Sequence, residues 1–170
     1  MRIKTTPARI IFLISFLLCC IAFALVMYLE LVNGLEPCPM CIFQRIVVIV
    51  LAIFFLIAAV HGPKGHGIRI YSFVFFLICL AGVAVALRQV WLQSLPPGDA
   101  PMCGPGIGYM FENMPFKDFL SAIFKGTGDC AVVHWSFLSL SLAGWAVVFF
   151  AVLGFFHLWH VFRHLPKRRD

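Results

Sequence analysis

The stretch that decides the fold is residues 37–60, which read PCPMCIFQRIVVIVLAIFFLIAAV. It joins a Cys-x-x-Cys pair, Cys38 and Cys41, to an apolar run that is long enough to cross a membrane. A Cys-x-x-Cys pair can close into a small disulfide that is readily reduced. If a helix begins near Cys41, its N-terminal partial charge and Arg45 at i+4 both favour a thiolate there. The stretch therefore predicts a redox-active pair at the mouth of a transmembrane helix.

The composition is that of a membrane protein. Of the 170 residues 62% are hydrophobic and only 12% are charged, and the mean hydropathy is +1.00. A soluble domain of this size needs far more polar surface. Four apolar blocks are long enough, or nearly so, to cross a hydrocarbon core of about 30 Å. They are residues 10–29, 42–60, 70–87 and 137–156. The predicted fold class is an all-α membrane protein, a four-transmembrane-helix bundle in one domain of residues 1–170.

The first apolar block follows a basic N-terminus, as the hydrophobic region of a secretory signal peptide does. Its apolar run is longer than such a region, and no small-x-small cleavage site follows Met27. We therefore expect the block to be retained as the first helix.

The positions of Lys and Arg indicate how the helices are oriented. These residues are concentrated at the N-terminus, at Lys64 and Arg69, and in the C-terminal tail, whereas segment 88–136 has mixed charge. The positive-inside rule places both termini and the middle turn in the cytoplasm. The loops at about residues 30–41 and 88–136 then face outward. This topology explains the net charge of +6, and nothing in it indicates binding to nucleic acid.

The seven cysteines separate by their predicted depth. Three lie within apolar helices, where a thiol packs as a small hydrophobic group: Cys19, Cys20 and Cys79. The other four all fall on the outward side: Cys38, Cys41, Cys103 and Cys130. Four outward cysteines in a membrane protein are typical of an oxidising compartment, in which disulfides persist.

The long outward segment has Cys103 and Cys130 on either side of a predicted helix. Cys103 lies among Pro and Gly residues, which give the backbone freedom to meet a macromolecular partner. Residues 115–124 have apolar side chains at helical spacing from Phe116, the pattern of an amphipathic helix that lies along the membrane surface. A core helix of a small external domain is disfavoured, because no strand or second helix is expected to cover it. A purely structural disulfide between the two cysteines is an alternative to a redox role.

The six histidines raise the question of a metal site. Three fall on one helix face at the cytoplasmic end of the last span, where we expect interfacial side chains and not ligands: His157, His160 and His164. The outward cysteines include one close pair, whereas zinc sites built from cysteine usually contain two. Cys41 is followed by Ile42 and not by His, which excludes the c-type haem motif. We therefore predict no metal site.

Several short motifs accompany the two cysteine pairs. They are Pro37-Cys38-Pro39-Met40-Cys41 followed by Gln44-Arg45, Arg88-Gln89-Val90-Trp91-Leu92-Gln93, Cys103-Gly104-Pro105, and Gly128-Asp129-Cys130-Ala131 with Trp135 and Phe137-Leu138. With these motifs in this order, the chain resembles the DsbB family of bacterial disulfide bond formation proteins over nearly its full length.

The resemblance implies a thiol:quinone oxidoreductase of the bacterial inner membrane with both outward loops in the periplasm. A reduced, periplasmic DsbA-like thiol oxidoreductase would attack the second-loop disulfide at Cys103, and Cys130 would then exchange with Cys38. Cys41, as a thiolate beside Arg45, would pass the electrons to a quinone, ubiquinone or menaquinone, from the membrane pool. A resting link between Cys38 and Cys130 is as compatible with the sequence as the two pairs within the loops.

Reduction of a quinone needs an apolar slot and a cation that stabilises the negative charge developing on the quinone oxygen. Arg45 is the basic residue nearest to Cys41 on the outward side, and Arg88 is a second candidate. Relatives commonly have Glu before this arginine, where this chain has Gln44, and His at the outer end of the third helix, a stretch that holds Gln89 and Gln93 in this chain. We therefore expect a quinone site formed by Arg45, Gln44, Arg88 and Gln89, in which the neutral Gln44 leaves Arg45 less compensated.

Two other classes of protein have some of these features. A vitamin K epoxide reductase-like enzyme combines a helical bundle, a Cys-x-x-Cys pair and quinone chemistry. Its Cys-x-x-Cys pair comes late in the chain and its loop pair early, which is the reverse of the order here. A non-catalytic membrane scaffold with two structural disulfides would keep its cysteines oxidised whatever the supply of quinone, and this distinguishes it from an enzyme.

Overall fold

The fold is a bundle of four long helices, seen in a computed structural model that describes residues 7–34, 37–96, 115, 117, 121, 126, 128–133 and 135–163. The helices are α1 (Pro7–Asn33), α2 (Pro39–His61), α3 (His66–Gln93) and α4 (Leu142–Arg163). Each is long and apolar enough to cross a membrane, which confirms the predicted four-helix membrane fold. Cys103 and most of the predicted surface helix at 115–124 lie outside the described residues.

The redox pair itself begins α2. Cys38 is the N-cap residue, with an extended backbone, and its Sγ accepts a hydrogen bond of 3.3 Å from the backbone N–H of Cys41. Pro39 occupies the first turn, where its missing N–H breaks no intrahelical hydrogen bond. At the other end, Gly62 adopts a left-handed conformation with φ of 62° and donates its N–H to the carbonyl of Ala58. Both ends of α2 are thus determined locally.

Small residues allow α3 and α4 to approach closely. A Cβ at Gly82 would lie 2.8 Å from the ring of Phe150, and one at Gly154 would lie 3.0 Å from the Cβ of Cys79. Because lipid offers no hydrophobic driving force between helices, such close backbone packing is a main source of helix association in a membrane. Each of these glycines therefore serves the contact between the two helices.

His157 lies inside the bundle and not at the membrane–water interface, so the prediction of an interfacial side chain at this position was wrong. Its ring is fully buried, with centroids 4.9 Å from Phe55 and 5.2 Å from Phe75. Its Nε2 lies 3.2 Å from the hydroxyl oxygen of Ser15 in α1. The flat ring packs as an aromatic residue, and the serine satisfies one of its two nitrogens. His160 is also buried, at 7% exposure, and His164 lies outside the described residues.

A short β-hairpin precedes the fourth helix, which therefore begins later in the chain than predicted. Its strands β1 (Ser136–Phe137) and β2 (Leu140–Ser141) pair antiparallel, so α4 begins at Leu142 and not at residue 137 as predicted. The turn residues Leu138 and Ser139 both have positive φ, 51° and 63°. Glycine or asparagine normally marks such a turn, and neither is present here. The hairpin was therefore not predicted, because its residues were read as part of the apolar block at 137–156.

Ser141 fixes the beginning of α4 against the end of α3. Its hydroxyl accepts a hydrogen bond of 3.2 Å from the backbone N–H of Gly144, as an N-cap residue does. The same hydroxyl donates to Oε1 of Gln93 at 2.6 Å. Since α3 continues to Gln93, beyond the predicted end at residue 87, Arg88 and Gln89 belong to the helix and not to a loop.

Candidate redox site

Three of the four predicted redox cysteines meet at one end of the bundle, which we call the cysteine end: the start of α2, the end of α3 and the 3-10 helix Gly128–Cys130. The Sγ atoms of Cys38 and Cys41 lie 2.8 Å apart. Cys130 is fully buried, and its side chain is hydrogen-bonded to that of Cys38. All three are present as thiols. The structure thus brings a second-loop cysteine to the first-loop pair, whereas Cys103 lies outside the described residues.

An apolar cluster holds Cys130 in this position. Cys38 and Cys130 pack with Met40, Val85 and Leu92, which are all buried. Because this cluster joins α2, α3 and the 3-10 helix, the second-loop cysteine is held by side-chain packing as well as by its hydrogen bond.

The thiol of Cys38 is strongly disposed to remain protonated. Its hydrogen bond to Cys130, its hydrogen bond to Cys41 and its burial all raise the pKa of Cys38 far above the ordinary value of a cysteine. A thiol that donates hydrogen bonds in an environment with little water loses them on ionisation. Cys38 is therefore a thiol at neutral pH in the reduced protein.

Two buried amides face the pair. Nε2 of Gln89 lies 3.2 Å from Sγ of Cys41 and 3.4 Å from Sγ of Cys38. Oε1 of Gln89 accepts a hydrogen bond of 2.8 Å from Nε2 of Gln44. The side chain of Gln89 is only 3% exposed and that of Gln44 only 8%. Both were predicted as quinone-site residues, and the structure places one of them directly on the sulfurs.

The charge of Arg45 is neutralised by Glu30, which was not predicted as a site residue. Its Nη2 forms an ion pair with Oε2 of Glu30 in α1, and its Nη1 approaches Sδ of Met27 at 3.7 Å. The charge of Arg45 is thus compensated from α1 and not by its neighbour Gln44. The predicted first span ended at residue 29, so Glu30 was assigned to the loop. Its position at the end of a long apolar helix was the signal that could have identified it.

Arg88 does not join this group. Its guanidinium carbon lies 4.2 Å above the ring centroid of Trp91, one turn further along α3. This stacking is a cation–π contact on an exposed aromatic ring, and Arg88 does not line either of the cavities at the cysteine end. The structure therefore separates Arg88 from the other three residues predicted to bind quinone.

A largely apolar cavity of about 390 Å³ lies next to Cys41. Its polar wall consists of Cys41, Gln44, Arg45 and Gln89. Its other walls come from α1, α4 and the hairpin segment, and include Phe23, Val26, Phe149, Trp135, Phe137 and Trp145. A smaller cavity of about 60 Å³ shares Cys41, Arg45 and Gln89 and is also lined by Glu30. The larger space suits a flat, apolar ring with few polar atoms.

One buried donor at this cavity is unused. Nε of Arg45 is shielded from solvent and has no hydrogen-bond partner among the residues that the structure describes. A buried N–H without an acceptor is costly, and a ligand that supplies an oxygen would remove that cost. The donor set therefore fits a ligand with a carbonyl oxygen at its edge.

Comparison with known proteins decides which family this arrangement belongs to. A sequence model of the family described as "Disulfide bond formation protein DsbB" matches residues 8–160. The chain belongs to the DsbB family. The matched region contains all four predicted redox cysteines: Cys38, Cys41, Cys103 and Cys130.

Curated relatives in the DsbB family are similar along nearly the whole chain, and each is called "Disulfide bond formation protein B". The relative from Methylococcus capsulatus is 48% identical over 151 residues, which are 89% of this chain and 92% of the relative. The relative from Marinobacter nauticus is 45% identical over 161 residues, 95% and 96% respectively. That from Nitrosococcus oceani is 43% identical over 155 residues, 91% and 92%.

Membership of the DsbB family makes this chain a disulfide-generating oxidoreductase, and its four apolar helices make it a multi-pass membrane protein. The sequence-based predictions of the family, the fold class and the enzyme class are confirmed.

Proposed function

We propose that the protein is a thiol:quinone oxidoreductase that reoxidises a reduced DsbA-like protein and passes the electrons through two cysteine pairs to a membrane quinone. The observation that most supports this proposal is the hydrogen bond between Cys130 and Cys38, beside a Cys41 that lines an apolar cavity. The printed name of the curated relatives supports a role in disulfide formation.

The first exchange takes place at a disulfide between Cys103 and Cys130. A thiolate of the reduced partner attacks Cys103, so the bond to Cys130 breaks and a mixed disulfide forms. The second thiol of the partner then resolves this bond. The partner leaves with a disulfide, and its two electrons and two protons remain on Cys103 and Cys130 as thiols.

The second exchange regenerates the loop disulfide. The thiolate of Cys130 attacks Cys38 of the Cys38–Cys41 disulfide and expels Cys41 as a thiolate. Cys103 then attacks Cys130, which restores the Cys103–Cys130 bond and leaves Cys38 as a thiol. The raised pKa of Cys38 supports Cys41 as the sulfur expelled in the first of these two steps, because a sulfur that holds its proton strongly is the poorer leaving group.

A quinone in the larger cavity would supply the acceptor. It would take up two electrons as the Cys38–Cys41 disulfide re-forms, together with the two protons that Cys130 and Cys38 give up. The Nε–H of Arg45 would hold one of its oxygens, and the aromatic residues Trp135, Phe137 and Trp145 would pack against the ring. Gln44 and Gln89 line the same cavity. Arg88, whose guanidinium stacks on Trp91, is not among the residues that line this cavity and is left out of the proposed site.

We further propose that the protein lies in the bacterial inner membrane with both termini in the cytoplasm. The cysteine end would then face the periplasm, where a DsbA-like partner is available, and the cavity would exchange with the lipid and quinone pool. The distribution of Lys and Arg supports this orientation.

The test is reduction of ubiquinone and menaquinone analogues by the purified protein in detergent, with a reduced DsbA-like protein as donor. We expect turnover to vanish in Cys41→Ser and Cys103→Ser and to fall markedly in Arg45→Ala. Cys20→Ser, which removes an exposed thiol in α1 away from the site, is the matched control and should retain full turnover. Turnover that survives Cys41→Ser would contradict the proposed electron exit. Failure of the wild type with every quinone and partner would favour structural disulfides.

A further inference from the structure

We propose that Gln89 is a catalytic hydrogen-bond donor to the sulfur of Cys41, and that Gln44 is the positioning residue that fixes the orientation of its amide. This inference rests on the proposed function, because it concerns the sulfur from which the electrons leave. It assigns the two glutamines a role toward the cysteines that does not depend on a quinone being bound.

The geometry of Gln89 is that of a donor to both sulfurs. Its Nε2 lies 3.2 Å from Sγ of Cys41 and 3.4 Å from Sγ of Cys38, both within hydrogen-bond range for sulfur. The side chain is 3% exposed, so water competes little for these N–H groups.

Gln44 determines which end of the amide faces the sulfurs. Its Nε2 donates to Oε1 of Gln89 at 2.8 Å, which keeps the carbonyl of Gln89 turned away from the cysteines. With Gln44 placed in this way, the reverse orientation of Gln89 would bring two NH₂ groups together and would turn toward the sulfurs an oxygen, which cannot donate a hydrogen bond. Gln44 lies one turn after Cys41 in α2, so the same helix sets the position of the sulfur and of the residue that orients its donor.

The chemical consequence is a preference for the thiolate at Cys41. An N–H group binds an anionic sulfur more strongly than a thiol or a disulfide sulfur. Cys38, which also lies near the amide, is held as a thiol by its contacts with Cys130 and Cys41. The amide of Gln89 therefore stabilises the thiolate of Cys41, and it increases the fraction of Cys41 present as thiolate when the pair is reduced.

The test is the pH dependence of iodoacetamide alkylation at Cys41 in the fully reduced, quinone-free protein, with the modified site located by mass spectrometry. Gln89→Met keeps the length of the side chain and removes the donor. We expect the midpoint of its alkylation profile to move up by about 1 to 2 pH units. Gln89→His, whose Nε2 is the same number of bonds from Cα, should return the midpoint most of the way to the wild-type value.

Two more variants separate the proposed roles. Gln93→Met removes an amide one turn further along α3 that binds Ser141 and not a sulfur, so it should have the wild-type profile. Gln44→Met should move the midpoint in the same direction as Gln89→Met, but less. The double variant should move it no further than Gln89→Met alone, because Gln44 acts through Gln89.

A wild-type profile in Gln89→Met would overturn the inference, and a raised KM for quinone in that variant would then assign the amide to the quinone. If Gln89→Met does not fold, an unshifted profile in Gln44→Met overturns the inference equally. The alkylation measurement needs neither quinone nor partner protein. A wild type that fails to reduce quinone while its variants still shift the profile would therefore contradict the proposed function, and with it the catalytic role of Gln89, but not the hydrogen bond from Gln89 to the Cys41 thiolate.

Discussion

Arg45 of α2 is ion-paired with Glu30 of α1, and both residues line the smaller of the two cavities beside Cys41. The side chains are 16% and 19% exposed, so both charges are held with little water around them. The pair connects two helices and balances the positive charge at a site where negative charge is expected to develop during the reaction. The site is thus close to neutral before any ligand enters.

We expect Glu30→Gln to destabilise the protein by about 1 to 3 kcal/mol, because it leaves the charge of Arg45 largely buried without its counter-ion. Arg45→Met should have a comparable effect. The double variant should be less destabilised than the sum of the two, since neither charge is then left alone. Thermal unfolding in detergent measures all three variants, and strictly additive effects would show that the pair contributes no coupling.

The raised pKa of Cys38 predicts slow alkylation of its thiol in the reduced protein. A raised pKa means less thiolate at a given pH, so Cys38 should react fully only well above about pH 8.5, the ordinary value for cysteine. Cys130→Ala removes the largest cause of the shift and should speed up the alkylation of Cys38 at neutral pH. Cys20→Ala is the control. An unchanged rate in Cys130→Ala would contradict the assigned cause.

The same shift has a consequence for stability. A group whose pKa is raised in the folded state stabilises that state below its unfolded pKa, and this contribution is lost as the pH rises above it. The reduced protein should therefore lose stability above about pH 8.5, the ordinary pKa of a cysteine thiol, and Cys130→Ala should weaken that dependence. Thermal unfolding of the reduced protein across this pH range, with and without the substitution, measures the effect.

Gly82→Ala should destabilise the contact of α3 with α4 by about 1 to 3 kcal/mol, because the added Cβ would overlap the buried ring of Phe150. Combining it with Phe150→Leu should recover part of the loss, since the smaller side chain leaves room. Ala81→Leu, which enlarges an exposed position on the same helix, should have little effect. Equal unfolding temperatures for Gly82→Ala and Ala81→Leu would contradict the packing argument.

Ser15→Ala should cost about 0.5 to 2 kcal/mol, because it removes the described hydrogen-bond partner of the buried Nε2 of His157. Adding His157→Phe should return much of this loss, since a benzene ring keeps the aromatic packing with Phe55 and Phe75 and needs no polar partner. Unfolding temperatures of the single and double variants provide the measurement. If the double variant is the least stable, the hydrogen bond is not the reason.

The four helices could be predicted because each apolar block is close to the length that a bilayer demands. The first and last residues of these helices were harder to predict from the sequence. The hairpin before α4 turns at Leu138 and Ser139. Both residues have positive φ, but neither is a glycine or an asparagine, the residue types from which such a turn is usually predicted. At the end of α3, Arg88 was predicted to begin a loop because the apolar run ends before it, yet the helix continues to Gln93.

That Cys38, Cys41 and Cys130 lie on the same side could be predicted from the sequence, whereas their surroundings could not. Glu30 reaches Arg45 from another helix, and Gln89 reaches Gln44 across 45 positions of the sequence. Such pairings depend on how helices are rotated against each other, which the pattern of apolar residues fixes only coarsely. For the same reason His157 was assigned to the interface although it faces the bundle centre.

Cys38 is the N-cap residue of α2, so a change in the bonding of its sulfur does not involve the backbone hydrogen bonds of the membrane-crossing part of the helix. The backbone N–H groups in the first turn of a helix have no intrahelical acceptors. The hydrogen bond from Ile42 N to Cys38 O, at 3.1 Å, is where the regular ladder starts. In the proposed cycle, a disulfide that opens and closes between Cys38 and Cys41 would alter a side-chain cap and leave that ladder intact. The covalent state of the protein could then change in every turnover while the scaffold in the bilayer stays the same.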